Sequence, residues 1–173
     1  MNHILFLLVI SHCTCIQSGA LTAPDNPKTI LNKPIDSIVV IKHQRQMRVY
    51  NRGNLLKSYH VCLGFAPEGA KHFRNDGKTP EGIYHINGKN PHSHYHKALG
   101  VSYPAAKDRE YARRYGKPTG GDIKIHGLPN GYGHLAEDYV KEDWTLGCIA
   151  LTDEEIDEVY KYTAVGTIVN ILP

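Results

Sequence analysis

One cysteine and one histidine stand out for their surroundings. The run Trp144-Thr145-Leu146-Gly147-Cys148-Ile149-Ala150-Leu151 places Cys148 on a small-residue turn that leads into an apolar strand. A thiol nucleophile needs a base to make thiolate, a donor pair for the oxyanion, and room for the substrate carbonyl. Gly147 permits close backbone approach, and the N–H groups of Gly147 and Cys148 are candidate oxyanion donors. Asp122-Ile123-Lys124-Ile125-His126 alternates like a strand and ends at His126-Gly127, offering a base from a neighbouring strand. Two other uses of Cys148 fit the same residues. It is a packed core thiol, or it pairs with Cys62 as a disulfide in an oxidising compartment.

A second constellation competes. In His92-Ser93-His94-Tyr95-His96 the three imidazoles fall at i, i+2 and i+4. On a strand they would share one face and could meet one metal ion. That reading makes the chain a zinc-dependent peptidase or a metal-binding module. Gly88 and Pro91 argue for a loop there instead, and no Asp or Glu is obviously paired as a base.

The elements that must position these residues lie in a chain of 173 residues, enough for one domain. With 41% apolar and 21% charged residues a packed core is expected. A net charge of +3 is too small to suggest a nucleic-acid partner. Residues 1–20 carry no Lys, Arg, Asp or Glu, and Ile4 to Ile10 is an unbroken apolar run. That run is too short to span a bilayer, which needs ~20 apolar residues. It fits the apolar core of a signal peptide, with Ser18-Gly19-Ala20 as the small residues at a cleavage site. Export to the periplasm or cell wall is expected, with no transmembrane segment in the mature chain. Lipidation at Cys13 or Cys15 is the lesser alternative, since His12 and Thr14 precede them where a small residue is usual.

Residues 21–35 hold three prolines and no periodicity, and read as an extended lead-in. Ile38–Ile41 and Met47–Tyr50 then suggest a hairpin, and Leu55–Phe65 continues as a strand. Its faces separate Tyr59, Val61, Leu63 and Phe65 from His60, Cys62 and Gly64. A Gly/Pro/charge-rich loop covers 66–81, followed by strands at 82–86 and 99–103. Ala105–Tyr115 reads as a helix stopped by Gly116. Thr152 with Glu155 forms a capping box for a last helix, and Gly166 reads as its stop before a strand over Thr167–Leu172. The pattern is mainly β with one or two short helices.

Several segments together resemble the L,D-transpeptidase family, the YkuD-type catalytic domain. They are His126-Gly127 with Asp143 to Leu151, Leu63 to Lys71, Asp76 to Gly82, and Ser102-Tyr103-Pro104. The resemblance covers residues 36–172 and implies a YkuD-type β-sandwich or barrel-like domain. It implies Cys148 as nucleophile and His126 as general base, with no cofactor and no metal. It also implies a base-orienting backbone carbonyl two residues before the cysteine, here Leu146, with Gly147 and Gly127 completing the backbone machinery. Ala150 stands where many members carry Arg, and the loop at 128–142 is enlarged. The implied substrates are peptidoglycan stem peptides, with a wall-attached lipoprotein or D-amino acids as further partners. Lys71, Arg74, Lys78 and Thr145 are the expected substrate contacts. A wall-binding module without turnover is a third class, disfavoured by the intact Cys148/His126 pair. Trp144 is expected to pack beside the catalytic turn.

Overall fold

The computed structural model describes residues 31–173, so the expected signal peptide, Cys13 and Cys15 lie outside the described residues. The strands are β1 (Ile35–Ile41), β2 (Gln46–Asn51), β3 (Asn54–His60), β4 (Gly82–Ser93), β5 (His96–Val101), β6 (Lys124–His126), β7 (Ile149–Ala150) and β8 (Thr163–Leu172). Three helices accompany them: α1 (Ala106–Arg114), α2 (Ala136–Tyr139) and α3 (Asp153–Tyr162). All eight strands form one sheet in the order β3-β2-β1-β8-β4-β5-β6-β7. The fold is mainly β, a sheet curled into a half-barrel.

The curl brings the two ends of the sheet together. After β3 the chain runs on past the edge, where Cys62 bridges Ala150 and Gly64 bridges Thr145. Cys62 and Ala150 exchange backbone hydrogen bonds of 3.0 and 2.8 Å. The alternation seen in the sequence sorts the side chains. Ile38, Val40, Met47, Val49, Val61, Leu63, Leu99, Ile125 and Ile149 are fully buried inside the curl. Phe65, expected on that inner face, is 55% exposed because the strand has ended.

Local signals set the helix boundaries. Thr152 accepts from the Glu155 N–H at 3.3 Å while the Glu155 carboxylate accepts from the Thr152 N–H at 3.0 Å. Ile156 and Val159 on the inner stripe of α3 are fully buried. Gly166 is not a stop between helix and strand: β8 begins directly at Thr163. Its pairing jumps from Ile35↔Thr163 to Ser37↔Ile168, so the residues between bulge out, and Gly166 takes φ +94° there.

The 66–81 loop is irregular but pinned. Lys42, 2% exposed, donates to the carbonyls of Gly69 (2.6 Å) and Thr79 (3.1 Å) and to Glu81 Oε1 (2.7 Å). Asp76 gathers Lys71 Nζ at 2.6 Å and the N–H groups of His72 and Phe73 at 2.8 and 2.9 Å. Those contacts, outweighing its burial, hold the Asp76 carboxyl below the usual carboxylate range. Helix α1 stacks on this loop, with the Tyr111 ring 4.0 Å from that of His72.

Candidate active site

Strands β6 and β7 run parallel, with Ile125 opposite Ile149 and His126 opposite Ala150. Extending that register by one residue sets Lys124 opposite Cys148. Side chains alternate across a strand, so Lys124, His126, Cys148 and Ala150 share the face turned away from Ile125 and Ile149. Cys148 is one rung diagonal to His126, a Cα separation of about 8 Å, which a thiol and an imidazole together can bridge.

The turn before Cys148 is held internally. Thr145 Oγ1 donates to the Cys148 carbonyl at 2.8 Å and accepts from the Gly147 N–H at 3.0 Å. Thr145 is 4% exposed, so it is a brace beneath the turn and not the expected substrate contact. The Gly147 N–H is thereby engaged, and the expectation that it is free for an oxyanion does not hold in this conformation. Gly147 has φ +128°, and a Cβ there would collide with the Lys78 carbonyl. The thiol itself donates to the Asp122 carbonyl at 3.6 Å, and Asp122 sits at φ +59°. Among the described residues no hydrogen bond joins Cys148 to His126.

His126 is 3% exposed and its Nδ1 lies 2.7 Å from the Gly127 carbonyl. A carbonyl can only accept, so Nδ1 carries the hydrogen and Nε2 is the bare nitrogen of the neutral ring. The orienting carbonyl is thus that of Gly127 and not of Leu146, which projects outward at 69% exposure. A Cβ on Gly127 would stand 2.6 Å from Asp153 Oδ1 and 3.0 Å from Ile156 Cγ2, so glycine lets α3 close over the base. Asp153 Oδ1 also accepts from the Leu128 N–H at 2.9 Å.

Aromatic rings roof His126. Tyr95 lies 4.6 Å from the His126 ring and Trp144 packs edge-on at 5.9 Å. Burial lowers His126 from 6.5 to about 4, outweighing the Gly127 hydrogen bond that raises it. Burial likewise raises the Cys148 thiol, against the downward pull of the Lys124 backbone and ammonium and of Lys71. Both groups therefore rest neutral. The Trp144 indole N–H is buried with no hydrogen-bond partner among the described residues. Cys62 donates to the Tyr139 carbonyl at 3.1 Å, and its thiol is pushed up to about 11 by burial. Cys62 and Cys148 are both free, so the disulfide alternative is not formed.

The loop cations divide. Lys71, 4% exposed, is spent on Asp76 and the Phe73 carbonyl, so it is a strut and not a surface for carboxylates. Lys78 reaches the Glu68 carbonyl at 2.5 Å. Arg74 is exposed, and its guanidinium finds no hydrogen-bond partner among the described residues.

The histidine triplet does not form a metal site. His92 and Ser93 end β4, His94 and Tyr95 form a two-residue turn, and His96 opens β5 opposite Ser93. The strand period breaks at that turn, so the three rings do not share a face. His96 Nε2 instead contacts Asp157 at 2.7 Å. Among the described residues no group of three His, Cys, Asp or Glu converges. The useful residue of that run is Tyr95, whose role over His126 a metal reading hides. Asp122 and Lys124 were visible in the sequence only as strand residues.

The half-barrel sheet thus sets a histidine within the parallel β6–β7 pair and a cysteine just before it. The model of the L,D-transpeptidase catalytic domain matches residues 35–171. The chain belongs to this family, whose members act on peptidoglycan peptides. It is 27% identical over 176 residues to the provisionally assigned L,D-transpeptidase YafK of Escherichia coli K12, covering 94% of this chain. The chain spans 64% of the length of that relative. The helical cell shape determining protein Pgp2 of Campylobacter jejuni superposes with TM-score 0.60 at 25% identity, over 81% of this chain and 48% of that one. An L,D-transpeptidase of Mycobacterium smegmatis shares the fold, with TM-score 0.52 at 14% identity over 79% of this chain and 58% of its own. Among the described residues no helix is long and apolar enough to cross a membrane.

Proposed function

We propose that the chain is an exported cysteine L,D-transpeptidase that acts on peptidoglycan stem peptides through a thioester on Cys148. The observation that carries this reading is the β6/β7 register, which puts Cys148 and His126 on one face, together with the 2.7 Å Gly127 contact that leaves His126 Nε2 bare. Nε2 takes the thiol proton as Sγ attacks the carbonyl on the L-centre of the stem-peptide diamino acid. The tetrahedral oxyanion faces the Cys148 N–H, and collapse breaks the C–N bond. His126 returns the proton to the departing amine of the D-residue. In the second half the thioester passes to an amine, giving a cross-link or an attached protein, or to water, giving carboxypeptidase trimming. His126 then removes the acceptor's proton.

Incubation with purified muropeptides followed by mass analysis tests this. A tetrapeptide-to-tripeptide shift denotes hydrolysis and a new dimer denotes transpeptidation; either must vanish in Cys148→Ala. Turnover that survives Cys148→Ala and stops with a chelator would sink the thioester reading.

A further inference from the structure

This inference deepens the proposed function and rests on it. Where the 66–81 loop meets the end of α1, four rings gather on the surface. His72 and Tyr111 stack at 4.0 Å with 20° between their planes, and Tyr115 lies 5.0 Å beyond Tyr111. Phe73 meets Tyr115 edge-on at 5.8 Å. The i, i+4 spacing of Tyr111 and Tyr115 sets both on one side of the helix end. Tyr115 stays 59% exposed, so the rings make a shelf open to solvent and not a core.

Cations rim this shelf. Lys117 Nζ stands 4.8 Å from the centre of the Phe73 ring, and Arg74 follows Phe73 along the chain. Both are exposed, and among the described residues neither meets a carboxylate. Glu110, the acid beside Tyr111 in sequence, is already shared by Arg113 and Arg114 at 2.8 and 3.1 Å. Asp76 is taken by Lys71 at 2.6 Å. Positive charge therefore goes unmatched around the rings, which suits an acidic partner.

One short segment joins the shelf to the nucleophile. The Arg74 N–H donates to the Pro118 carbonyl at 2.8 Å, and a Cβ on Gly120 would stand 3.2 Å from the Arg74 Cα. Two residues on, the Asp122 carbonyl accepts from Cys148 Sγ at 3.6 Å. Two extended residues span about 7 Å, so the near edge of the shelf lies within about 17 Å of the sulfur. In the substrate, a tripeptide separates the scissile carbonyl from the sugar that carries the stem. Its residues extend over about 10–11 Å, and the lactyl ether that joins them to the sugar lengthens the tether. A stem laid from Cys148 toward Arg74 thus delivers its sugar to the rings. An N-acetylated pyranose presents apolar C–H faces that pack flat on aromatic rings, and the carboxylates of its stems match the unpaired cations. We propose that the shelf around Tyr115 and Phe73 holds the glycan strand, so that the domain recognises the sugar as well as the stem peptide.

Two measurements test this. Retention on purified glycan strands stripped of their stem peptides reads the shelf without any turnover. The wild type and Tyr115→Trp are expected to be retained, and Tyr115→Ala to wash through. No retention of the wild type, or equal retention of Tyr115→Ala, overturns the assignment. The second measurement compares kcat/KM for a disaccharide-tetrapeptide and for the same tetrapeptide without its sugars. A stacking contact gives the wild type a preference for the glycosylated donor of roughly three- to tenfold, which Tyr115→Ala brings to near one. An unchanged ratio in that variant overturns the assignment. Equal loss of both donors also overturns it, because a ring that merely supports the 66–81 loop does not discriminate a sugar. Retention that depends on Tyr115, in a wild type that turns over neither donor, would uphold the shelf and remove the proposed stem-peptide chemistry.

Discussion

Burial of His126 makes the fold acid-sensitive in a way that one variant isolates. His126 falls from 6.5 in an unfolded chain to about 4 in the folded one, first because it is buried. That difference disfavours the charged ring by ~3 kcal/mol. Between those two values the unfolded chain binds the extra proton, so stability rises with pH across the window and is lost as pH falls through it. Going from pH 7 to pH 5 removes about 2 kcal/mol on this account. Other histidines and carboxylates titrate too, so the measurement is a difference of differences. Urea unfolding of the wild type and of His126→Gln, each at pH 7 and pH 5, cancels the shared groups. The wild type should lose ~2 kcal/mol more than the variant over this interval. Equal losses, within ~0.5 kcal/mol, would show that the ring takes up a proton as readily in the folded chain as in the unfolded one. The burial that lowers the ring would then not be felt, and the acid sensitivity assigned to His126 would fall.

Three further outcomes follow from the same contacts. Thr145→Val removes the 2.8 and 3.0 Å hydrogen bonds that brace the Cys148 turn, and should cost about 2–4 kcal/mol in urea unfolding together with turnover. Lys42→Met leaves Glu81 and two carbonyls of the 66–81 loop without their buried partner; about 3 kcal/mol should be lost, with new protease cleavage inside 66–81. The Cys148 thiol lies above the ordinary 9 because burial disfavours thiolate, so iodoacetamide should label it more slowly at pH 7 than free cysteine, with the rate still rising past pH 9.

What could be read from the sequence was local or periodic. The Thr152–Glu155 capping box spans three residues and forms as written. Alternation in Asp122–His126 correctly separates buried Ile123 and Ile125 from Lys124. Register is neither local nor periodic, so the sequence holds the parity of Lys124, His126 and Cys148 but not their row. The His92–His96 run shows the converse failure. A strand period was extended across a turn, and His96 enters β5 at φ +57°, a conformation that no alternation pattern signals. Lys71 shows a third kind of miss. Its partner Asp76 lies five residues away in an aperiodic loop, so a buried strut and an open cation look alike in sequence. Thr145 hid its role similarly, because a side chain that braces its own turn resembles one that greets a substrate.

The resting site holds no charge on either reacting group, and this shapes how the proposed chemistry must start. Moving a proton from Cys148 to His126 creates two ions where there were none, in a site whose burial opposes both. Two features offset that cost. The Gly127 carbonyl already accepts from Nδ1, so the imidazolium is born hydrogen-bonded. The Lys124 backbone and ammonium both favour thiolate at Sγ. Against these stands the Asp122 carbonyl, which accepts from Sγ at 3.6 Å. Turning the thiol toward His126 gives up this contact, and a substrate carbonyl seated over Sγ then supplies the atom that consumes the thiolate as it forms. On the proposed mechanism, charge in such a site appears only while a donor peptide is present, which leaves the thiol inert between turnovers.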